Sequence, residues 1–77
     1  MTIKLVSFGS LSEIIPEQNL TIEPTVTTAE LVRRLYRIYP RLKKCRFVIA
    51  VNQEISTKPV KLKDADEVAF LAPFAGG

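Results

Sequence analysis

Few side chains in this 77-residue chain are equipped for covalent chemistry. Cys45 is the one thiol and there is no histidine. A nucleophilic cysteine needs a neighbouring base, usually an imidazole, and zinc needs four Cys, His or carboxylate ligands. Cys45 therefore reads as a packed free thiol, and no metal site is expected. The carboxylates of Asp64, Asp66 and Glu67 are close enough in sequence for acid–base work. Their spacing suits a turn and the start of a strand better. Seven cations crowd one stretch: Arg33, Arg34, Arg37, Arg41, Lys43, Lys44 and Arg46. Such a run is one footprint of nucleic-acid binding. No aromatic residues interleave with it as a stacking platform, and Tyr36 and Tyr39 fall in a helical phase that suits packing. A solvated helix face and loop is the simpler account, so no nucleic acid is expected as a partner.

What remains is the main chain itself. Two of the three glycines are the last two residues, Gly76 and Gly77. Pro73 lacks an N–H and disfavours further sheet pairing. Ala75, Gly76 and Gly77 then carry minimal side chains, so residues 73–77 form a slim, conformationally free tail after a domain spanning 1–72. Such a tail can thread a channel that rejects branched side chains. Its one reactive group is the carboxylate of Gly77, ionised at neutral pH. A carboxylate is a poor electrophile and needs activation, for example as an acyl-adenylate, before sulfur or an amine attacks it. Read from these residues alone, a frayed terminus is an equally good account.

The rest of the chain must position that tail. A chain this short supports one domain, burying roughly 60% of its unfolded surface. Hydrophobic residues make up 47% and charged residues 25%, a globular composition that argues against disorder. No apolar run approaches the roughly 20 residues that cross a bilayer, and no secretory leader is visible. A cytoplasmic protein without a membrane partner is expected.

Residues 2–8 alternate as a strand, with Ile3 and Leu5 on one face and Lys4, Val6 and Phe8 on the other. A short helical turn over 10–15, stopped by Pro16, leads to a returning strand at 18–23 with Leu20 and Ile22 inward. Thr27 with Glu30 makes a capping box, and Val26 with Leu31 a hydrophobic staple. Leu31, Leu35 and Ile38 recur on one face of the helix that follows; Glu30 is spaced to pair with Arg34, and Pro40 ends the helix. After a basic loop, residues 46–52 are rich in apolar and β-branched types and read as a strand. Asn52-Gln53 suits a turn, and residues 54–62, with Pro59, suit an edge. Asp64-Ala65-Asp66 reads as a turn before a last strand over 67–72, with Val68 and Phe70 on one face. The order is ββαβββ. One helix covers one face of a small mixed sheet, which is an α+β fold of the β-grasp, ubiquitin-like type.

With that fold, the tail resembles the ubiquitin-related, MoaD/ThiS-like sulfur carriers, and most of all the molybdopterin synthase small-subunit family. The resemblance runs over the whole chain. IKLVSFGSLSEII resembles the family's first strand and following helix, and AVNQEI at 50–55 its Ala-Val-Asn-Gln turn. DADEVAFLAPFAGG at 64–77 resembles its Asp-Gly-Asp-Glu-Val-Ala-Phe ending with Gly-Gly. Ala65 stands where the family has a turn glycine, which implies a different turn there. Ala72-Pro73 replaces a double proline, and Phe74 stands where a β-branched residue is usual.

The resemblance implies a function without a catalytic side chain. An adenylating, E1-like activating enzyme would use Mg-ATP to turn the Gly77 carboxylate into an acyl-adenylate, and a sulfur donor would convert it to a thiocarboxylate. The carrier itself would hold no permanent cofactor. Phe74, Ala75, Gly76 and Gly77 would insert into a large catalytic subunit within a heterotetramer. There the sulfur would pass to cyclic pyranopterin monophosphate to build the molybdopterin dithiolene. Strand parity turns Phe8 and Leu71 away from the helix, and Ile55 matches the third apolar contact of the family's subunit interface. A thiamine-pathway carrier and a ubiquitin-like protein modifier would share this fold and tail.

Overall fold

Alternating burial in the first strand sets the architecture. Ile3 and Leu5 are fully buried, while Thr2 and Lys4 are exposed. The computed structural model describes residues 1–73. Within them, β1 (Thr2–Ser7), β2 (Gln18–Thr21), β3 (Val48–Val51), β4 (Glu54–Ser56) and β5 (Glu67–Leu71) make one sheet in the order β2-β1-β5-β3-β4. The central pair, β1 and β5, is parallel, and the other pairs are antiparallel. Helix α1 (Thr28–Ile38) connects β2 to β3, giving the ββαβββ β-grasp order.

The helix begins where its cap dictates. Thr27 is extended, its hydroxyl accepts from the Glu30 amide, and the Glu30 carboxylate accepts from the Thr27 amide, both at 3.3 Å. Leu31 and Leu35 then enter one core with Ile3, Leu5, Ile22, Val26, Val68 and Phe70. Phe47 adds a tilted ring contact with Phe70 at 5.1 Å between centroids. Leu20 packs at the edge of this core, half-buried.

Five details depart from the sequence reading. Ile38 has the angular position of a core residue but is 56% exposed. It is the last helical residue, and the backbone leaves helical geometry at Tyr39. The chain does not simply stop at Pro40; it enters a 3-10 turn, Pro40–Lys44, whose Leu42 is fully buried and fills the core at that end of the helix. Arg34 pairs with Glu23 on the loop after β2, because the Glu30 carboxylate is occupied by the cap. Residues 60–62 do not extend the sheet edge. They stitch to the entry of α1, through Thr28 N–H to Val60 C=O at 2.9 Å and Leu62 N–H to Val26 C=O at 3.0 Å.

The last departure is at Ala65, which has φ 69. The alanine adopts the left-handed backbone that favours glycine. The neighbouring carboxylates hold the turn in place. Asp64 accepts from the Thr2 amide at 2.8 Å; Asp66, buried, accepts from the Lys63 amide at 2.8 Å and from the Asn52 side chain at 2.9 Å.

Candidate functional site

The site is built from the sheet face opposite the helix. Cross-strand pairs share a face, so the register reads out its rows. Ile55 pairs with Ala50, Ala50 with Ala69, and Ala69 with Val6, a continuous apolar row across β4, β3, β5 and β1. In the next row, Val48 pairs with Leu71. Phe8 follows beside it: Ser7 pairs with Phe70, and the Phe8 amide donates to the Phe70 carbonyl at 3.1 Å. Val6, Ala50 and Ala69 cluster there with Leu71 packed against them. The two central positions are alanines, so larger side chains rise on both sides of a shallow centre.

The structure thus places Phe8, Ile55 and Leu71 on one apolar face. Phe8 is 54% exposed and Ile55 63% exposed, while Leu71 is half-buried. Strand β5 ends on this face at Leu71, and Ala72 and Pro73 follow, both exposed. Phe74, Ala75, Gly76 and Gly77 lie outside the described residues, as does most of the tail assigned to 73–77.

The other chemically suggestive groups have structural duties. Asn52 and Gln53 form the β3–β4 turn, with φ of 51 and 72. Such a pair of positive φ values fits the right-handed twist of a two-residue hairpin. Asn52 also locks that hairpin to β5: its amide donates to the Glu67 carbonyl at 2.8 Å, and its side-chain oxygen accepts from the Glu67 amide at 3.0 Å. An open cleft of about 380 Å³ borders Asn52, Ile55, Lys61 and Asp66. Asn52 and Asp66 are engaged with each other and with main-chain amides, so the buried Asp66 carboxylate serves the turn. Cys45 is half-buried, with its Sγ 3.5 Å from the Arg41 carbonyl. Among the described residues no cluster of three His, Cys, Asp or Glu is arranged to hold a metal. No helix among them is long and apolar enough to cross a membrane. Sequence reasoning missed Val48, Ala50 and Ala69 as parts of the apolar face. Ala69 shares its parity with Leu71, but the register between β3 and β5, which brings Val48 and Ala50 to the same face, was not available.

The ThiS family pattern matches residues 6–77. The chain belongs to the ThiS family. It is 35% identical to a molybdopterin synthase sulfur carrier subunit from Mycobacterium tuberculosis (strain ATCC 25618 / H37Rv), over 97% of this chain and 96% of that one. It is also similar to a chain in the complex of subunits 1 and 2 of molybdopterin-converting factor from Helicobacter pylori 26695. That likeness has a TM-score of 0.70 and 26% identity, with both chains covered in full. Small archaeal modifier protein 1 from Methanosarcina acetivorans is similar as well, with a TM-score of 0.74 and 26% identity over 99% of this chain and 96% of that one. As a member of the ThiS family, the chain combines a β-grasp domain with an apolar sheet face at the end of its last strand.

Proposed function

We propose that this chain is the sulfur carrier subunit of a molybdopterin synthase. Its substrate-bearing group is the main-chain carboxylate of Gly77. Adenylation by an activating enzyme with Mg-ATP releases pyrophosphate and leaves a mixed anhydride. Attack by the terminal sulfur of a donor persulfide expels AMP and leaves an acyl disulfide, and a thiol then attacks the donor-side sulfur, forming a disulfide with the donor and releasing the thiocarboxylate. The large subunit receives the tail, residues Phe74, Ala75, Gly76 and Gly77, and transfers the sulfur to the pyranopterin substrate. No side chain of this chain takes part in bond making, which agrees with the structural duties of Asn52, Asp64 and Asp66.

The single observation that carries the reading is the apolar face at the end of β5. The rows through Ile55–Ala50–Ala69–Val6 and Val48–Leu71–Phe8 give a partner an apolar seat beside the end of β5. Val6, Ala50 and Ala69 are buried at its centre, while Phe8 and Ile55 stand exposed at its ends, and exposed apolar side chains grouped on one face mark protein interaction sites. Membership of the ThiS family and the full-length likeness to a sulfur carrier subunit support the same reading. The likeness to a small archaeal modifier protein supports a second one, in which the activated Gly77 forms isopeptide bonds with lysines.

The test is an intact-mass measurement. The protein is incubated with Mg-ATP, a persulfide or sulfide donor, and the candidate activating enzymes. Replacement of one terminal oxygen by sulfur, lost on adding large subunit and pyranopterin, is the expected result. A mass that never changes with any cognate activator would refute the carrier reading. Covalent adducts on other proteins that require Gly77 would favour the modifier reading.

A further inference from the structure

Among the described residues three large apolar side chains are strongly exposed: Phe8, Ile38 and Ile55. Phe8 and Ile55 belong to the outer sheet face. Ile38 sits on the helix layer, on the other side of the sheet, and the proposed carrier chemistry gives it no role.

Its surroundings are unusual in charge. Residues 31–53 contain seven of the eleven cations and none of the eight carboxylates, so this stretch carries +7 and the rest of the chain −4 in side-chain charge. Arg34 is neutralised by Glu23, whose carboxyl the guanidinium holds below its ordinary value. Arg33, Arg37, Arg41, Lys43, Lys44 and Arg46 are exposed and make no salt bridge with any carboxylate among the described residues. Between α1, the 3-10 turn Pro40–Lys44 and a second 3-10 turn, Gly9–Glu13, lies a notch of about 240 Å³, lined by Glu13, Ile14, Ile38, Tyr39, Pro40 and Arg41. Ile14, Ile38, Tyr39 and Pro40 give it apolar walls, Glu13 and Arg41 bring one charge of each sign to it, and the remaining cations of the stretch lie on or just beyond the adjoining helix and turn.

We propose that this helical face is a second docking site, for a protein partner that presents an acidic segment carrying an apolar side chain. The acidic groups complement the cations that lack carboxylate partners, and the apolar side chain seats in the notch against Ile38. Complementary charge sets orientation and association rate, while the desolvated apolar contact slows dissociation. Nucleic acid fits less well. The two tyrosines are half-buried, Lys43 Nζ lies over the Tyr36 ring at 6.0 Å from its centroid, and Ile38 would be left against a phosphate backbone. Because the site lies on the opposite layer from Phe8 and Ile55, a partner here leaves the sheet face and the end of β5 free. The inference rests on charge, exposure and shape, and does not require sulfur chemistry.

The test uses the full chain, labelled with nitrogen-15, and a capped peptide of Glu and Asp residues around one central Leu. Amide shifts confined to residues 33–46 and the notch are expected, weakening with added salt as exposed charge interactions do. Replacing the peptide's Leu by Ser, or Ile38→Ser in the protein, removes on the order of 1 kcal/mol of apolar contact, about fivefold in affinity. The pair Arg37→Glu and Arg41→Glu should weaken binding at least about tenfold through like-charge contact. All these positions are exposed, and far-UV circular dichroism checks that the fold is kept. Absent shifts, shifts mapping elsewhere, indifference to the peptide's Leu, or tighter binding of a mixed-sequence single-stranded RNA would each overturn the proposal.

Discussion

Truncation of Phe8 tests the docking role of the outer sheet face most directly. Phe8 lies just beyond β1, next to Leu71, and is 54% exposed. A buried phenylalanine removes about 150–250 Å² from water, so on the order of 100 Å² of this ring is left for a partner to cover. At about 25 cal/mol per Å² that surface contributes roughly 2.5 kcal/mol. Alanine retains a small part, so Phe8→Ala should cost about 2 kcal/mol, near 30-fold in Kd. Ile55 is 63% exposed at the far end of the neighbouring row. Ile55→Ala should cost about 1 kcal/mol, roughly fivefold. The two residues are separated by three strand spacings, about 14 Å, so the losses should add to about 3 kcal/mol. Titration calorimetry against the cognate large subunit reads these changes, and urea unfolding serves as the control. Both side chains are largely solvated, so each variant should unfold within about 0.5 kcal/mol of the parent. Unchanged affinity for the double variant, with folding intact, would refute the argument that this face is the seat.

Three further outcomes follow from particular residues. Ala65→Gly relieves an alanine at positive φ, worth about 1–2 kcal/mol, and adds about 0.4–1 kcal/mol of unfolded-state freedom. A net gain of about 0.7 kcal/mol, or roughly 3–5 °C in Tm, is expected by urea and thermal unfolding with an unchanged m-value; a loss would contradict the left-handed turn. Thr27→Ala removes the helix cap and should destabilise by about 1 kcal/mol in the same assay, leaving Kd for the large subunit unchanged. Glu23→Gln tests the pairing with Arg34, which lowers the Glu23 pKa from its ordinary 4.5. A depressed carboxylate contributes stability above the unfolded-state value and loses it as pH falls through the folded one. The difference between wild type and variant should thus be present at neutral pH and vanish in acid; a difference independent of pH would point elsewhere.

Much of the fold was legible locally. The capping box at Thr27 and Glu30, the i, i+4 pair Leu31 and Leu35, and the period-two alternation at Ile3 and Leu5 are each written in neighbouring residues. Those signals act over one or two turns or along one strand, so the chain carries them without knowing its partners. Ile38 and Arg34 show where this ends. Helical phase put Ile38 in the core and Arg34 on Glu30, but burial of Leu42 and occupation of Glu30 by the cap decided otherwise. Both outcomes turn on competition between groups for one place, which spacing alone does not rank.

The candidate site divides along the same line. The sequence by itself singles out no side-chain constellation for catalysis and, with the family resemblance, points to the small-residue tail ending in Gly77. Parity alone turned Phe8 and Leu71 outward. Only the tertiary structure decided that Ile55, Ala50, Ala69 and Val6 share one row, and that Val48, Leu71 and Phe8 share the next. The physical reason is register. A strand's period of two fixes which residues share a face, but a slip of two residues against its neighbour keeps every face and changes every pair. That choice is made by contacts across the sheet, here by Asn52 and Asp66 tying the β3–β4 hairpin to the start of β5.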